Sequence, residues 1–180
     1  MRENFEIEVQ WRAFPLHPET PEDGRTLEEL FAGRNMDIPA MLARLKSVAD
    51  AEGLPWGTRR MTFNSRLAQE MGKWAEEKGK GDEYHDAVFR TYFVDGKNIA
   101  KKEVLLELGK KAGLPMKEAK EVLESRTFKE AVDEDWKLSM KQGVTAVPTF
   151  VIDHQAVVGA QPYDVLEAFL VQNGLKRKGR

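Results

Sequence analysis

The chain has 180 residues, 41% of them hydrophobic and 32% charged, with a formal net charge of -2, a composition that suits one sizeable globular domain. So small a net charge gives no electrostatic case for binding nucleic acid or an acidic membrane surface. There is neither a run of about 18 apolar residues nor a charged N-terminal segment followed by an apolar one, so neither a membrane span nor secretion is supported and the cytoplasm is expected. Cysteine is absent, which excludes disulfides and any nucleophilic, metal-binding or redox thiol among these residues.

Residues Phe5 to Arg12 alternate, with Phe5, Ile7, Val9 and Trp11 on one face and Glu6, Glu8, Gln10 and Arg12 on the other, which predicts a strand with one buried side. A connector follows, Phe14 to Gly24, broken by Pro15, Pro18 and Pro21. From there to Gly143 the pattern is helical. Thr26 with Glu29 forms a capping box ahead of Leu30 and Phe31, and Asp37 caps a helix carrying Met41, Leu42, Leu45, Val48 and Ala49 that stops at Gly53. Asn64 is the expected cap of a helix with Leu67, Ala68, Met71 and Ala75. Asp82 opens another with Tyr84, Val88, Phe89, Tyr92 and Phe93. Short helices are expected around Val104, Leu105 and Leu108 and around Ala119, Val122 and Leu123. A second capping box, Thr127 with Glu130, starts a helix with Phe128, Ala131, Val132, Trp136 and Met140 that ends at Gly143.

The run Gly143-Val144-Thr145-Ala146-Val147-Pro148-Thr149-Phe150-Val151-Ile152-Asp153 is the most informative stretch. Pro148 cannot donate to a ladder, so it belongs at the first position of a strand, and an X-Pro bond is the one place where a cis peptide costs little. Phe150 to Ile152 and Ala156 to Val158, joined by Asp153-His154-Gln155, predict a hairpin. Pro162 then opens a terminal helix with Val165, Leu166, Phe169 and Leu170 inward, stopped by Asn173-Gly174.

Most residues of chemical interest have a structural reading. His17, His85 and His154 lack metal-ligand spacing and read as partly exposed surface histidines, so no metal site is expected. Asp133, Glu134 and Asp135 point three ways from a helix and read as a solvated face. Ser65, Ser125 and Ser139 lack the strand-to-helix elbow of a nucleophile. Trp11, Phe89, Phe93, Trp136, Phe150 and Phe169 fall at core positions of their patterns, whereas Trp56 and Trp74 do not and read either as lone tryptophans packing on helices or as the wall of a cleft between a helical block and a thioredoxin-like part. The basic cluster at the end, Lys176-Arg177-Lys178-Gly179-Arg180, reads as a frayed, solvated tail.

Three stretches together resemble the DsbA-like thioredoxin family, in its cytoplasmic branch of FrnE-type dithiol-disulfide isomerases, with kinship to 2-hydroxychromene-2-carboxylate isomerases and kappa-class glutathione transferases. They are Val9 to Leu16 with Pro18 and Pro21, Val88 to Ile99 with Leu105 to Leu114, and Gly143 to Asp153 with Val158 to Pro162. The resemblance implies an α/β, thioredoxin-like fold with an all-helical insertion, 1–24 and 143–180 forming the thioredoxin-like part and 25–142 the insertion. It implies a cis bond at Pro148 and a substrate-contact loop in which the backbone of Val147 meets an extended peptide or glutathione.

Family members open with a strand, a Cys-x-x-Cys motif or its serine variant and a helix, whereas this chain starts just before the second strand. The first β-α unit, roughly 30 residues by usual element lengths, is missing, and it would lie between Phe5 to Arg12 and Thr149 to Ile152. The expectation is either an incomplete chain begun at an internal methionine or a homodimer that repairs its sheet by strand exchange. The implied function is thiol-disulfide oxidoreductase or isomerase, without redox activity in these residues, with no catalytic residue assigned and with Val147 and Pro148 as the substrate-binding pair. Two alternatives stand beside it, a glutathione-dependent isomerase or transferase and a non-catalytic peptide-binding module. The expected partner is a peptide or small thiol, and no cofactor is expected except glutathione under the first alternative.

Overall fold

A computed structural model describes residues 1–179. In chain order the elements are β1 (Arg25–Thr26), α1 (Leu27–Leu30), α2 (Ile38–Ala51), β2 (Met61–Thr62), α3 (Arg66–Glu77), α4 (Gly81–Phe93), α5 (Lys102–Lys111), α6 (Met116–Ser125), α7 (Lys129–Lys141), β3 (Thr149–Ile152), β4 (Gln155–Val158) and α8 (Tyr163–Gln172). The chain divides into two compact units, Met1–Leu16 with Asp133–Arg180, and His17–Val132. Side-chain bonds run across the expected divisions at 24/25 and 142/143. Asp135 and Ser139 of α7 bind Arg12 and Ala13, while Asn64 donates to the carbonyls of Pro18 and Thr20.

The helical unit, His17–Val132, owns most of the core. Ala68, Met71 and Ala75 repeat along one face of α3 and pack with Tyr84 and Val88 of α4, Leu105 and Leu108 of α5 and Ala119 and Leu123 of α6, the recurrence that buries one helical stripe. Local signals at its start hold as read. The Thr26 hydroxyl accepts from the Glu29 amide while the Glu29 carboxylate accepts from Thr26 N–H, and Asp37 accepts from Ala40 N–H to cap α2. Asn64 stands one residue ahead of the cap position, Ser65. Its carbonyl oxygen accepts from Arg66 N–H while its amide holds the connector. The antiparallel pair β1 and β2, with Arg25 opposite Thr62 and Thr26 opposite Met61, is too short to leave a periodic trace.

The other unit contains α8, most of α7 and the hairpin β3–β4, whose register pairs Thr149 with Val158, Phe150 with Val157, Val151 with Ala156 and Ile152 with Gln155. Asp153 takes a positive φ of 52° in the two-residue turn, a conformation aspartate tolerates better than most residues.

The expected strand at Phe5 to Arg12 does not form. Phe5 alone makes a bridge, to Arg177, and Val9 and Trp11 are each 42% exposed. Alternation supplies a strand-competent segment, but a strand exists only where a neighbour completes its ladder. Instead the segment is held at its ends. Glu6 N–H donates to Lys176 C=O and Lys178 N–H to Asn4 C=O, so the tail read as frayed is docked as far as Lys178, while Arg180 lies outside the described residues. Of the six aromatic residues expected in the core, Phe169 is buried, but Phe89 and Phe150 are exposed at 47% and 41% along with Trp11, and Phe93 and Trp136 are half-buried.

Candidate functional site

The loop leading to Pro148 begins where α7 stops. Gly143 adopts φ 69°, its N–H donates to Met140 C=O, and Val144 N–H donates to Ser139 C=O, a left-handed helix end that glycine makes at little cost. The Val147–Pro148 peptide bond is cis. Thr149 Oγ1 donates to Ala146 C=O at 2.7 Å, and Gly159 N–H donates to Pro148 C=O at 2.7 Å. These two bonds fasten the loop to the hairpin on both sides of Val147. Val147 itself is 45% exposed, and Pro148 is exposed as well. The structure thus presents Val147 and Pro148 as an adjacent, accessible pair at the head of β3, with no charged side chain between Gly143 and Ile152.

Several of the titratable groups singled out in the sequence are held by partners. Asp135, read as solvated, is buried at 2%. Its carboxylate accepts from the Arg12 guanidinium at 3.0 Å and from Ala13 N–H at 2.9 Å. Ser139 is buried too, donating to Asp135 C=O and, at 3.5 Å, to Ala13 C=O. The missed signal was the helical period, because Asp135 and Ser139 recur three and seven residues after buried Val132 on one face.

His85 is not a plain surface histidine. Its side chain is 21% exposed and its Nε2 lies 2.9 Å from Glu76 Oε1. Burial opposes ionisation of Glu76, but the bonds from His85 and Lys73 outweigh it and hold the carboxyl below the ordinary glutamate value. His17 lies 4.0 Å from Glu19, and His154 is exposed at the hairpin tip. Glu70, only 2% exposed, accepts from Arg66 and from Arg126 at 2.6 Å, so it joins α3 to the end of α6 rather than serving as a free acid. Ser65 accepts from Gln69 and Ser125 donates to Glu121 C=O, both helix-end roles. Of the two readings of Trp74, cleft wall or packing on a helix, the structure has the second, a core residue at 3% exposure, and Trp56 stacks on Phe93 with centroids 5.5 Å apart. Among the described residues no group of three or more His, Asp or Glu side chains is placed to hold a metal ion.

The model of the DSBA-like thioredoxin domain matches residues 1–171. The chain belongs to that family. Among solved structures, a probable DsbA oxidoreductase, SCO1869, from Streptomyces coelicolor superposes with a TM-score of 0.87 at 31% identity, covering 94% of this chain and 76% of that one. The 2-hydroxychromene-2-carboxylate isomerase shares the fold at a TM-score of 0.66 and 18% identity, over 75% of this chain and 66% of that one. The cytosolic disulfide reductase DsbM of Pseudomonas aeruginosa gives a TM-score of 0.55 at 25% identity, over 72% and 73%.

By sequence, the uncharacterised protein YwbO of Bacillus subtilis (strain 168) is 35% identical over 102 residues, 56% of this chain and 51% of YwbO. The match thus spans about half the length of that curated relative. The DsbA-like thioredoxin fold is therefore the architecture of this chain, and the block between the N-terminal segment and the hairpin, expected to be all-helical, is helix-rich with the short β1–β2 pair inside it. Among the described residues no helix is long and apolar enough to cross a membrane.

Proposed function

We propose that this chain is the substrate-holding part of a cytoplasmic, FrnE-type thiol-disulfide oxidoreductase or isomerase, and that these 180 residues perform no disulfide exchange by themselves. Supporting the family level are the match over residues 1–171 and the likeness to a probable DsbA oxidoreductase at 31% identity. Supporting the absence of exchange is the absence of cysteine, since a thiolate must attack for a disulfide to move. The observation that carries the proposal is the exposed Val147 immediately before β3, in a loop bonded to the hairpin on either side. Such a residue offers a backbone N–H and C=O to an extended peptide, as in strand addition.

The test is a titration with a fluorescently labelled, unstructured peptide carrying one central cysteine. The expected result is binding that weakens at least tenfold in Val147→Pro, which deletes the donor, and in a peptide N-methylated at its central residues. Unchanged affinity in both arms overturns the reading. Insulin reduction by dithiothreitol should run at the same rate with and without the protein, and an acceleration refutes the claim of no exchange. Saturable binding of reduced glutathione without peptide binding would transfer the site to the glutathione-dependent reading. Fractionation of the source cells tests the compartment.

A further inference from the structure

Among the described residues, the arginines other than Arg59 face an acid or open water. Arg12 meets Asp135, Arg25 meets Glu19, Arg66 and Arg126 meet Glu70, Arg90 meets Asp86 and Arg177 meets Glu167, while Arg2, Arg34, Arg44 and Arg60 are exposed. Arg59 is half-buried, and no carboxylate of the described residues comes within ion-pair reach of it.

Its guanidinium is fixed all the same. Gly57 N–H donates to Phe93 C=O and pins the loop ahead of β2 against the end of α4. Arg59, two residues on, therefore falls on the rings at that end, its Cζ 4.9 Å from the centre of Tyr92 and 5.3 Å from that of Phe93. Its Nη1–H donates to Tyr92 Oη, which lies 3.0 Å from the buried Thr62 hydroxyl. Phe63 braces the Tyr92 ring edge-on at 6.4 Å. Two ring contacts and a hydrogen bond hold the planar fork in one orientation.

Two of its three nitrogens nevertheless lack an acceptor. Nε is buried without a partner, whereas Nη2 makes no hydrogen bond and stays open to solvent. A withdrawn charge with unfilled donors is a cost to the fold, and attraction to the rings offsets only part of it.

We propose that Arg59 is a carboxylate-binding site, its Nη2 receiving the carboxylate of a small molecule whose adjoining apolar group lies against the rings that hold the guanidinium. Carboxylate is favoured over phosphate by the charge on hand. One guanidinium matches one negative charge in a charge-assisted bond, whereas phosphate usually gathers a helix N-terminus or several cations. The site lies wholly within the helical unit and is independent of any peptide at Val147.

Sodium benzoate titrated at constant ionic strength into the isotope-labelled 180-residue protein tests it by NMR. The expected result is saturable movement of the Arg59 Nε–H and Trp56 indole N–H signals with a Kd of about 1 mM, within reach of a ligand of so few atoms. Acetate, which offers nothing to the rings, should bind at least tenfold more weakly. No saturation at Arg59 up to about 20 mM benzoate, or equal movement at the exposed Arg44, overturns the site. Equal binding of acetate and benzoate overturns the part given to the rings, and tighter binding of inorganic phosphate overturns the choice of carboxylate. Arg59→Lys keeps the charge but loses the fork and should weaken benzoate at least tenfold. A lysine variant that binds as tightly as the wild type overturns the assignment to the guanidinium, and the wild-type titration decides even where that variant fails to fold.

Discussion

Glu70 is a carboxylate buried between two arginines, and its protonation reports on that environment. Burial opposes its charge, and the bonds from Arg126 and Arg66 more than compensate, leaving its pKa below the ordinary value. A depressed carboxyl pKa stabilises the fold fully above the unfolded-state value, near 4.5, and that contribution disappears as the pH falls through the folded-state pKa. Glu70→Gln should cost about 2 kcal/mol at pH 7, because both guanidinium groups lose their counter-charge. Its urea-unfolding stability should also fall less steeply than the wild type's below pH 4.5. Equal acid slopes in the two proteins would show that Glu70 does not titrate differently on folding.

Tyr84 poses the opposite case. Its ring is fully buried in the helical core and its hydroxyl has no hydrogen-bond partner, which pushes its pKa far above the ordinary tyrosine value. A buried hydroxyl without a partner is a cost, so Tyr84→Phe should leave stability unchanged or raise it by about 1 kcal/mol. A clear loss in chemical unfolding would mean the hydroxyl is satisfied in solution.

At the level of elements, two glycines separate rigid from yielding contacts. Gly57 lies in the loop that crosses the end of α4, where its N–H donates to Phe93 C=O. A methyl group there would overlap the backbone carbonyl of Val94, which cannot move without breaking the helix end. Gly109, inside α5, would overlap only the terminal methyl of Met71, with Leu114 at ordinary contact distance, and that methyl is a flexible group that can swing aside. Gly57→Ala should therefore cost more than about 2 kcal/mol. Gly109→Ala should stay within about 1 kcal/mol of the wild type, its helix-propensity gain offsetting the shift of Met71. Thermal denaturation of the two variants decides this, and a reversed order would show that the α4 end gives way.

Over the whole molecule, stability is expected to be uneven. The four-helix core of α3 to α6 gathers most of the deeply buried apolar side chains, whereas the smaller unit relies on Phe5, Phe169 and the Arg12–Asp135 attachment. Regions with few buried contacts open at lower free energy than those with many. In dilute protein, amides of β3, β4 and α8 should exchange at least tenfold faster than those in the middle of α3 and α5. Uniform protection across both units would show one cooperative fold.

Sequence alone determined what depends on neighbours within one helical turn or one hairpin. The Thr26–Glu29 box, the Asp37 cap, the Gly143 helix stop and the hairpin around Asp153 each formed where read, because a side chain three residues away or a permitted φ suffices to make them. The cis bond at Pro148 was expected from the family resemblance rather than from its local pattern. What required partners distant in the chain was decided by the tertiary structure. Alternation at Phe5 to Arg12 could not provide a ladder neighbour, and the tail could not be seen to dock on Asn4 to Glu6. The charges of Asp135 and Glu70 gave no hint that Arg12 and Arg126, distant in the chain, would reach them and allow them to be buried. Periodicity identifies which face of an element is apolar; whether that face and the backbone edge beside it are covered depends on what other polypeptide reaches them.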